Sequence, residues 1–183
     1  SVRDEESQRR DRGGDRDRVI LSFDPVLSLF DNRSNVASTS TVLVVIPRMN
    51  SGVSFTDAVQ SAVKELRPSA VRILSMQPDF VEEQRVCASL AASVGSIATV
   101  HPVRSLQELT AMLRDCGHLV TGRYHGALAG LALGVPMDII PQRDGDKLSA
   151  LKDLSKNSGA PELLRERVRT GEHSLQKFIN MLK

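Results

Sequence analysis

Residues 41–46 read TVLVVI and are followed directly by Pro47. An unbroken aliphatic run of this kind, without alternating polar residues, is typical of a strand that is buried on both faces of a parallel sheet. Apolar residues then recur at helical spacing over residues 53–66, and a second apolar run follows at residues 70–74. This order of strand, helix and strand predicts a right-handed crossover between two parallel strands.

The same alternation extends outward from this unit in both directions. Further strands are predicted at residues 19–23, 97–100, 118–120 and 137–140. Further helices are predicted at residues 78–94, 106–113, 123–133, 148–156, 162–168 and 174–182. Strands that alternate with helices through short loops predict the fold class α/β, here a Rossmann-like doubly wound parallel sheet of about six strands.

Composition and charge restrict the class of protein. The chain has 183 residues, of which 40% are hydrophobic, enough for one domain with a sizeable core. It carries 24 Lys and Arg residues against 22 Asp and Glu residues, and the resulting net charge of +2 argues against a nucleic-acid partner. No run approaches the roughly 20 apolar residues that span a membrane. Two cysteines fit a reduced, cytoplasmic environment.

A charged lead-in occupies residues 1–18, where six arginines stand among six acidic residues. Balanced charges of this kind are usually solvated. The change in composition at residue 19 therefore separates this lead-in from a domain of residues 19–183, which ends in helices.

In an open parallel sheet, ligands bind beyond the carboxyl ends of the strands, where helix N-termini also point. The polar residues that follow the predicted strands are therefore the candidate site residues. They are Arg48, Gln77, Asp79, Arg123, Tyr124, His125, Gly126, Arg143 and Lys147. Gln77 and Asp79 could instead cap the helix that Pro78 opens. No cluster with metal-ligand spacing stands out, so no metal site is predicted.

The segment TGRYHGALAGLALGVP, residues 121–136, carries the strongest functional signal. Its helix is apolar all round and is therefore expected to be buried, yet its first turn holds Arg123 and His125. A guanidinium beside the positive end of the helix dipole is unfavourable alone, whereas an anionic ligand there turns the conflict into attraction. Arg143 and Lys147 would reach the same edge if their strand is adjacent.

Structural roles remain open for the same two side chains. Arg123 could instead form a salt bridge with Asp115 or Asp138. His125 could be a core histidine whose ring is satisfied by neighbours, as single histidines in apolar segments often are.

Six short motifs follow one another along the chain. They are SVRDEES at residues 1–7, DPV at 24–26, IPR at 46–48, QPD at 77–79, GRYHG at 122–126 and DK at 146–147. Their order resembles that of the polysaccharide pyruvyl transferase family, over residues 1 to about 153. The resemblance implies transfer of pyruvate from phosphoenolpyruvate to a sugar of a cell-wall or exopolysaccharide as a ketal. It also implies a location in the cytoplasm or at the inner face of the membrane.

The resemblance further implies an architecture and partners. The family's fold is similar to that of the two-domain GT-B glycosyltransferases, and the SVRDEES motif normally lies at the domain junction. The chain would then be the C-terminal half, with residues 19–183 as the phosphoenolpyruvate-binding domain, and we expect this half alone to be inactive. Its partners would be phosphoenolpyruvate, a sugar or lipid-linked saccharide acceptor and an N-terminal domain, with no nucleic acid and no cofactor.

Matched residue by residue, the resemblance assigns Arg123 and His125 to phosphoenolpyruvate binding and catalysis. Lys147 matches the lysine that follows them, and Arg48 matches an arginine after an earlier strand. His125 would act as the acid or base, while Arg123 and Lys147 would stabilise the charge of the departing phosphate. The further candidates for substrate binding are Gln77, Asp79, Tyr124, Gly126 and Arg143.

Two other functions stay open at the level of the sequence. The C-terminal domain of a GT-B glycosyltransferase binds a nucleotide-sugar at a similar helix N-terminus, and it would need an acidic residue such as Asp138 for the ribose. The other alternative is a non-catalytic domain that binds a carbohydrate or a partner protein.

The C-terminal tail, residues 162–182, repeats apolar residues at helical spacing. Amphipathic helices pack their apolar face against another element. We therefore expect part of this face either to be exposed, because its partner element is absent, or to be buried in a homodimer.

Overall fold

A five-stranded parallel sheet with helices on both faces makes up the described part of the chain. The computed structural model describes residues 40–143, 146–157 and 159–181. The strands are β1 (Val42–Ile46), β2 (Ala70–Ser75), β3 (Ala98–Pro102), β4 (His118–Thr121) and β5 (Met137–Ile139). The helices are α1 (Val53–Leu66), α2 (Val81–Val94), α3 (Leu106–Arg114), α4 (Tyr124–Leu133), α5 (Lys147–Ser155) and α6 (Ala160–Met181).

The strands lie in the order β3-β2-β1-β4-β5, and every pair of neighbours is parallel. At the centre, Val44 of β1 pairs with Arg72 of β2 on one side and with Leu119 of β4 on the other. The prediction of an α/β, Rossmann-like doubly wound parallel sheet is confirmed, with five described strands. The sixth predicted strand, residues 19–23, and the charged lead-in, residues 1–18, lie outside the described residues.

Strand β1 is buried on both faces, as its sequence indicates. Leu43 and Val45 pack into one core with Phe55 of α1, whereas Val44 and Ile46 pack into the core on the opposite face, with α3, α4, α5 and α6. All four strand side chains are at most 1% exposed. Successive side chains of a strand alternate between its faces. A strand between two helical layers therefore needs an apolar residue at every position.

The helix after β2 begins later than the sequence predicts. The prediction places it at residues 78–94, whereas α2 begins at Val81. The backbone N–H of Phe80 donates to the carbonyl of Gln77 at 3.0 Å, which closes a turn before the helix. Phe80 is the N-cap residue. The alternative in which Gln77 or Asp79 caps this helix is therefore wrong.

The C-terminal tail forms one helix, α6, of 22 residues. The sequence predicts two shorter helices there, over residues 162–168 and 174–182, with Gly171 between them. The prediction of a break is wrong, because a single glycine weakens a helix by about 1 kcal/mol relative to alanine without ending it.

The apolar face of α6 is buried along its first half, where Leu164 and Val168 pack into the core with α4 and α5. Farther along the same helix, Leu175 and Ile179 are 60% and 40% exposed. Part of this face is thus exposed, which is one of the two expected arrangements. Among the described residues, no helix combines the length and the apolar character that crossing a bilayer requires.

Candidate functional site

The candidate site lies where β1 and β4 run side by side at the centre of the sheet. From β1 the chain crosses to β2 on one side, and from β4 it crosses to β5 on the other. The loops that leave these two strands diverge, and open parallel sheets bind ligands in the crevice that forms at such a point. Arg48 follows β1 and Arg123 follows β4, so both arginines start from this crevice.

Arg123 is the N-cap residue of α4 and has an extended backbone, with φ −108° and ψ 136°. The buried hydroxyl of Thr121 accepts a hydrogen bond from the backbone N–H of Arg123 at 3.1 Å and donates one to its carbonyl at 3.2 Å. The Arg123 side chain makes no capping hydrogen bond to α4. The N-terminus of α4 therefore lies at the crevice without a cap from its own N-cap side chain, and the positive end of the helix dipole there favours an anion.

The guanidinium of Arg123 is held by contacts from two other loops. Its Nε donates to the carbonyl of Pro47 at 3.0 Å, and its Nη2 donates to Oε1 of Gln77 at 3.2 Å. Nη2 also forms an ion pair with Oε2 of Glu83. The side chain is 19% exposed. These contacts use Nε and Nη2, and they fix the direction in which the remaining atom, Nη1, points.

The partner carboxylate, Glu83, is fully buried. Its Oε1 accepts hydrogen bonds from the backbone N–H of Gln77 at 2.7 Å and from the hydroxyl of Ser75 at 3.1 Å. Its Oε2 has the ion-pair contact with Arg123 but no hydrogen bond of normal geometry among the described residues. Burial of a carboxylate is tolerated when opposite charge and donors surround it, which is the arrangement here.

Sequence reasoning missed this ion pair. It offered Asp115 or Asp138 as partners of Arg123, but Asp115 pairs with Arg72 and Asp138 pairs with His118. That alternative is wrong. A signal for the true partner was present, because an acidic residue shares the buried face of α2.

Glu83, Cys87 and Leu90 recur at spacings of four and three along α2, and all three are buried. Residues at such spacing lie on one face of a helix. A glutamate in an otherwise apolar row therefore indicates that it pairs with a cationic side chain on the sheet side of the helix. The spacing does not identify that side chain.

Arg48 approaches the crevice from the other side. Its side chain is 40% exposed, and its Nη1 lies 3.4 Å from Oδ2 of Asp146. Its backbone N–H donates to the hydroxyl of Ser51 at 2.8 Å, which shapes the turn after β1. Burial and, to a smaller extent, the charge of Arg48 lower the pKa of the Arg123 guanidinium from its ordinary value. The two arginines lie on adjoining loops, because Nε of Arg123 donates at 3.0 Å to the carbonyl of Pro47, the residue before Arg48.

The loop after β5 brings further residues to this edge of the sheet. Asp146 caps α5, because its Oδ1 accepts from the backbone N–H of Leu148 at 3.3 Å. Lys147 is the first residue of α5 and is exposed, as is Arg143 earlier in the loop. The contact of Asp146 with Arg48 ties this loop to the one after β1.

His125 and Tyr124 occupy the first turn of α4. Their rings meet edge to face, with centroids 5.6 Å apart and planes at 82°. His125 is exposed, so the alternative of a buried core histidine is wrong. Tyr124 is half-buried beneath it.

Two of the predicted site residues, Asp79 and Gly126, do not contact Arg48 or Arg123 through their side chains. Asp79 is exposed, and its Oδ2 lies 3.0 Å from Nη1 of Arg104. The Asp79 carboxylate therefore pairs with Arg104 and not with Arg48 or Arg123. Gly126 is buried, on the side of α4 that faces the sheet. Arg48, Gln77 and Arg123, in contrast, are brought together.

Gly126 is the point of closest approach between α4 and the sheet. A Cβ at this position would lie 2.8 Å from Oγ1 of Thr121 and 2.9 Å from Cδ1 of Ile46. The Ile46 methyl can move, but the Thr121 hydroxyl is held by its two hydrogen bonds to Arg123. A larger residue would therefore push the start of α4, and Arg123 with it, away from the crevice.

We accordingly expect Gly126→Ala to destabilise the chain in urea denaturation. Overpacking of a close contact costs about 1–3 kcal/mol, which exceeds the gain of up to about 1 kcal/mol from the better helix propensity of alanine. Gly52→Ala is the matched control, since a Cβ at Gly52 meets nothing within 4 Å. Equal losses in the two variants would contradict the close approach at Gly126.

The described residues offer neither a group of metal ligands nor a reactive thiol. There, no group of three or more His, Cys, Asp or Glu side chains could hold a metal ion. Cys87 and Cys116 are both buried, and burial raises the pKa of each thiol to about 11. A thiol of that pKa is protonated near neutral pH, so neither cysteine has the reactivity of a nucleophile.

A comparison with known families places the chain among related sequences. The family model described as Polysaccharide pyruvyl transferase matches residues 1–137. The matched part includes Arg48, Arg123 and His125, and it ends before Arg143 and Lys147. No curated protein matches the chain.

Proposed function

Because the chain belongs to the polysaccharide pyruvyl transferase family, we propose that the crevice between β1 and β4 binds phosphoenolpyruvate as the pyruvate donor. The observation that supports this proposal most is that two arginines meet at the N-terminus of α4, because Nε of Arg123 donates at 3.0 Å to the carbonyl of Pro47, the residue before Arg48. Phosphoenolpyruvate presents a carboxylate and a phosphate, so it needs several fixed donors in one place. The chain would be the donor-binding half of the enzyme.

The two arginines suit the two anionic groups of this donor differently. Arg123 is rigidly held beside the α4 N-terminus, a combination that favours a phosphate. Arg48 is 40% exposed, and among the described residues its side chain makes a single polar contact, with Asp146 at 3.4 Å. Exposed ion pairs are worth about 0–1 kcal/mol, so Arg48 can exchange that contact for a substrate carboxylate at little cost.

The proposed reaction adds a proton to the methylene carbon of phosphoenolpyruvate, and an acceptor hydroxyl oxygen bonds to C2. The bond between C2 and the phosphate oxygen breaks, and a second hydroxyl of the same sugar closes the ketal. Of the two hydroxyl protons released, one balances the proton given to the methylene carbon and the other leaves with phosphate.

The proposed roles follow from where the side chains lie. His125, exposed in the first turn of α4, would deliver the proton to carbon. Arg123 and Lys147 would offset the charge that develops on the departing phosphate. The reaction needs no organic cofactor, because the donor carries its own leaving group.

The other side chains at this edge would complete the donor pocket, and the acceptor would come from elsewhere. Gln77, Tyr124 and Arg143 stay candidates for substrate binding on the donor side, whereas Gly126 faces the sheet. We place the sugar or lipid-linked saccharide acceptor on a separate N-terminal domain that faces the crevice. Asp138, which a nucleotide-sugar site would use for the ribose, is already paired with His118 at 3.0 Å. Pyruvyl transfer is therefore the function that we favour.

Titration calorimetry of the chain tests the donor. We expect phosphoenolpyruvate to bind and uridine diphosphate not to compete with it. Arg48→Gln is expected to weaken phosphoenolpyruvate binding about tenfold or more, since a charge-assisted hydrogen bond is worth about 1.5–3 kcal/mol. Arg85→Gln, an exposed arginine on α2, is the matched control. Tighter binding of uridine diphosphate than of phosphoenolpyruvate would overturn the proposal in favour of a glycosyltransferase.

A further inference from the structure

We infer that Glu83 is the positioning residue of the donor site, which fixes the Arg123 guanidinium so that Nη1 faces the bound anion. This inference rests on the proposed function for its activity readout. Glu83 touches no substrate in this scheme, and it acts only through Arg123 and the loop that carries Gln77.

The contacts of Glu83 form a closed triangle. Its carboxylate accepts from the Gln77 backbone N–H at 2.7 Å and pairs with Nη2 of Arg123. Gln77 in turn accepts from the same Nη2 through its side-chain Oε1 at 3.2 Å. Each of the three residues therefore contacts the other two, and a movement of any one disturbs both others.

Stability alone does not explain a buried ion pair at this place. Apolar residues of similar volume are often as stabilising as a buried pair, because both charges lose their hydration. An ion pair does, however, fix orientation. An arginine side chain has many rotamers, and binding to a free one would cost the entropy of ordering it. Arg123 has that order before any ligand arrives, because Glu83, Gln77 and Pro47 hold it at two of its three nitrogens.

The position of Glu83 joins the two halves of the doubly wound sheet. Glu83 and its partner Ser75 belong to the β2 and α2 side, whereas Arg123 begins α4 on the other side of the switch point. The ion pair therefore links the two sides of the switch point. A ligand that binds in the crevice meets donors whose spacing has already been set.

The first test separates positioning from folding. Glu83→Gln keeps an oxygen acceptor for the Gln77 N–H but removes the charge that orients Arg123. We expect it to raise Kd for phosphoenolpyruvate in the folded chain, and KM in the two-domain enzyme, about tenfold, the size that coupled neighbours commonly show. Glu83→Asp retains the charge and should recover part of this loss. Glu82→Gln, the exposed neighbour on the same helix, should leave both constants unchanged.

A merely structural role gives a different pattern. In that case Glu83→Gln lowers the folded fraction, and with it the apparent kcat, while KM and Kd of the folded molecules stay at the wild-type values. That result would overturn the inference.

The second test needs no substrate. Glu83→Gln should lower the unfolding midpoint of the wild-type chain, because the Arg123 charge loses its partner. In a chain that already carries Arg123→Met the same change should raise the midpoint, because the buried carboxylate there has no counter-charge. In that background Glu83→Gln should also cause no further loss of phosphoenolpyruvate affinity.

The outcomes of the two tests distinguish the inference from the proposed function. If the sign of the effect on the midpoint does not reverse, Glu83 does not act through Arg123 and the inference falls, whatever the donor is. If the sign reverses and wild-type protein binds no phosphoenolpyruvate, the proposed function falls and takes the binding role of Glu83 with it. Reversal together with the tenfold loss supports both.

Discussion

In the two-domain enzyme, which includes the acceptor-binding domain, His125→Ala is expected to lower turnover about 10²–10⁴-fold, the contribution that a positioned general acid typically makes. Binding of phosphoenolpyruvate should persist, because Arg48 and Arg123 supply the charges that hold the anion. His125 lies exposed in the first turn of α4, two residues after Arg123, with its ring edge to face with that of Tyr124. Steady-state phosphate release and calorimetric titration of the donor measure the two quantities separately.

His173→Ala is the control for this experiment. His173 is likewise an exposed helical histidine, but it lies on α6, which contributes none of the candidate site residues. It should retain wild-type turnover. Near-normal phosphate release by the His125→Ala enzyme would remove His125 from the reaction and leave it a surface residue.

Arg123→Met should damage the protein in two ways at once. It removes the counter-charge of Glu83, which is fully buried, and breaking a buried pair from one side costs about 3–5 kcal/mol of unfolding free energy. It also removes the guanidinium that we assign to the donor phosphate, so phosphoenolpyruvate binding should be lost. Urea denaturation followed by circular dichroism measures the first effect, and calorimetry at low temperature measures the second.

The matched variant is Arg48→Met. Arg48 is 40% exposed, and its partner Asp146 keeps its bond to the Leu148 N–H, so the unfolding free energy should change by less than about 1 kcal/mol. Donor binding should still weaken. A similar loss of unfolding free energy in both variants would show that burial of the Glu83 and Arg123 pair does not make its loss more destabilising than that of an exposed pair.

The sheet was predictable because its strands are unambiguous in the sequence. Residues 41–46 contain no polar residue except the initial threonine, and a buried parallel strand has that composition for a simple reason, since both of its faces meet helices. The start of α4 was predictable as well, because Arg123 and His125 interrupt an otherwise apolar helix. Local pattern was sufficient in both places.

The partner of Arg123 could not be read from local pattern. Glu83 lies 40 positions earlier, and its neighbour Glu82 is exposed, so two adjacent glutamates have opposite environments. The spacing of Glu83, Cys87 and Leu90 indicates that Glu83 is the buried one, but it does not identify the cation that pairs with it. Asp79, in the turn that precedes α2, is engaged by Arg104. Tertiary contacts decide all of these positions.

The strand order of the sheet also has a consequence for how the chain folds. Paired residues of β1 and β4, such as Val45 and Val120, are 75 positions apart, whereas those of β1 and β2, such as Val45 and Ile73, are 28 apart. Long-range parallel pairings form late, because the entropy of closing the loop opposes them until contacts on both sides exist. We therefore expect the crevice between β1 and β4 to be among the last parts to assemble. An anion would then bind only to fully folded molecules. By mass action, its binding would raise the free energy of unfolding of the chain.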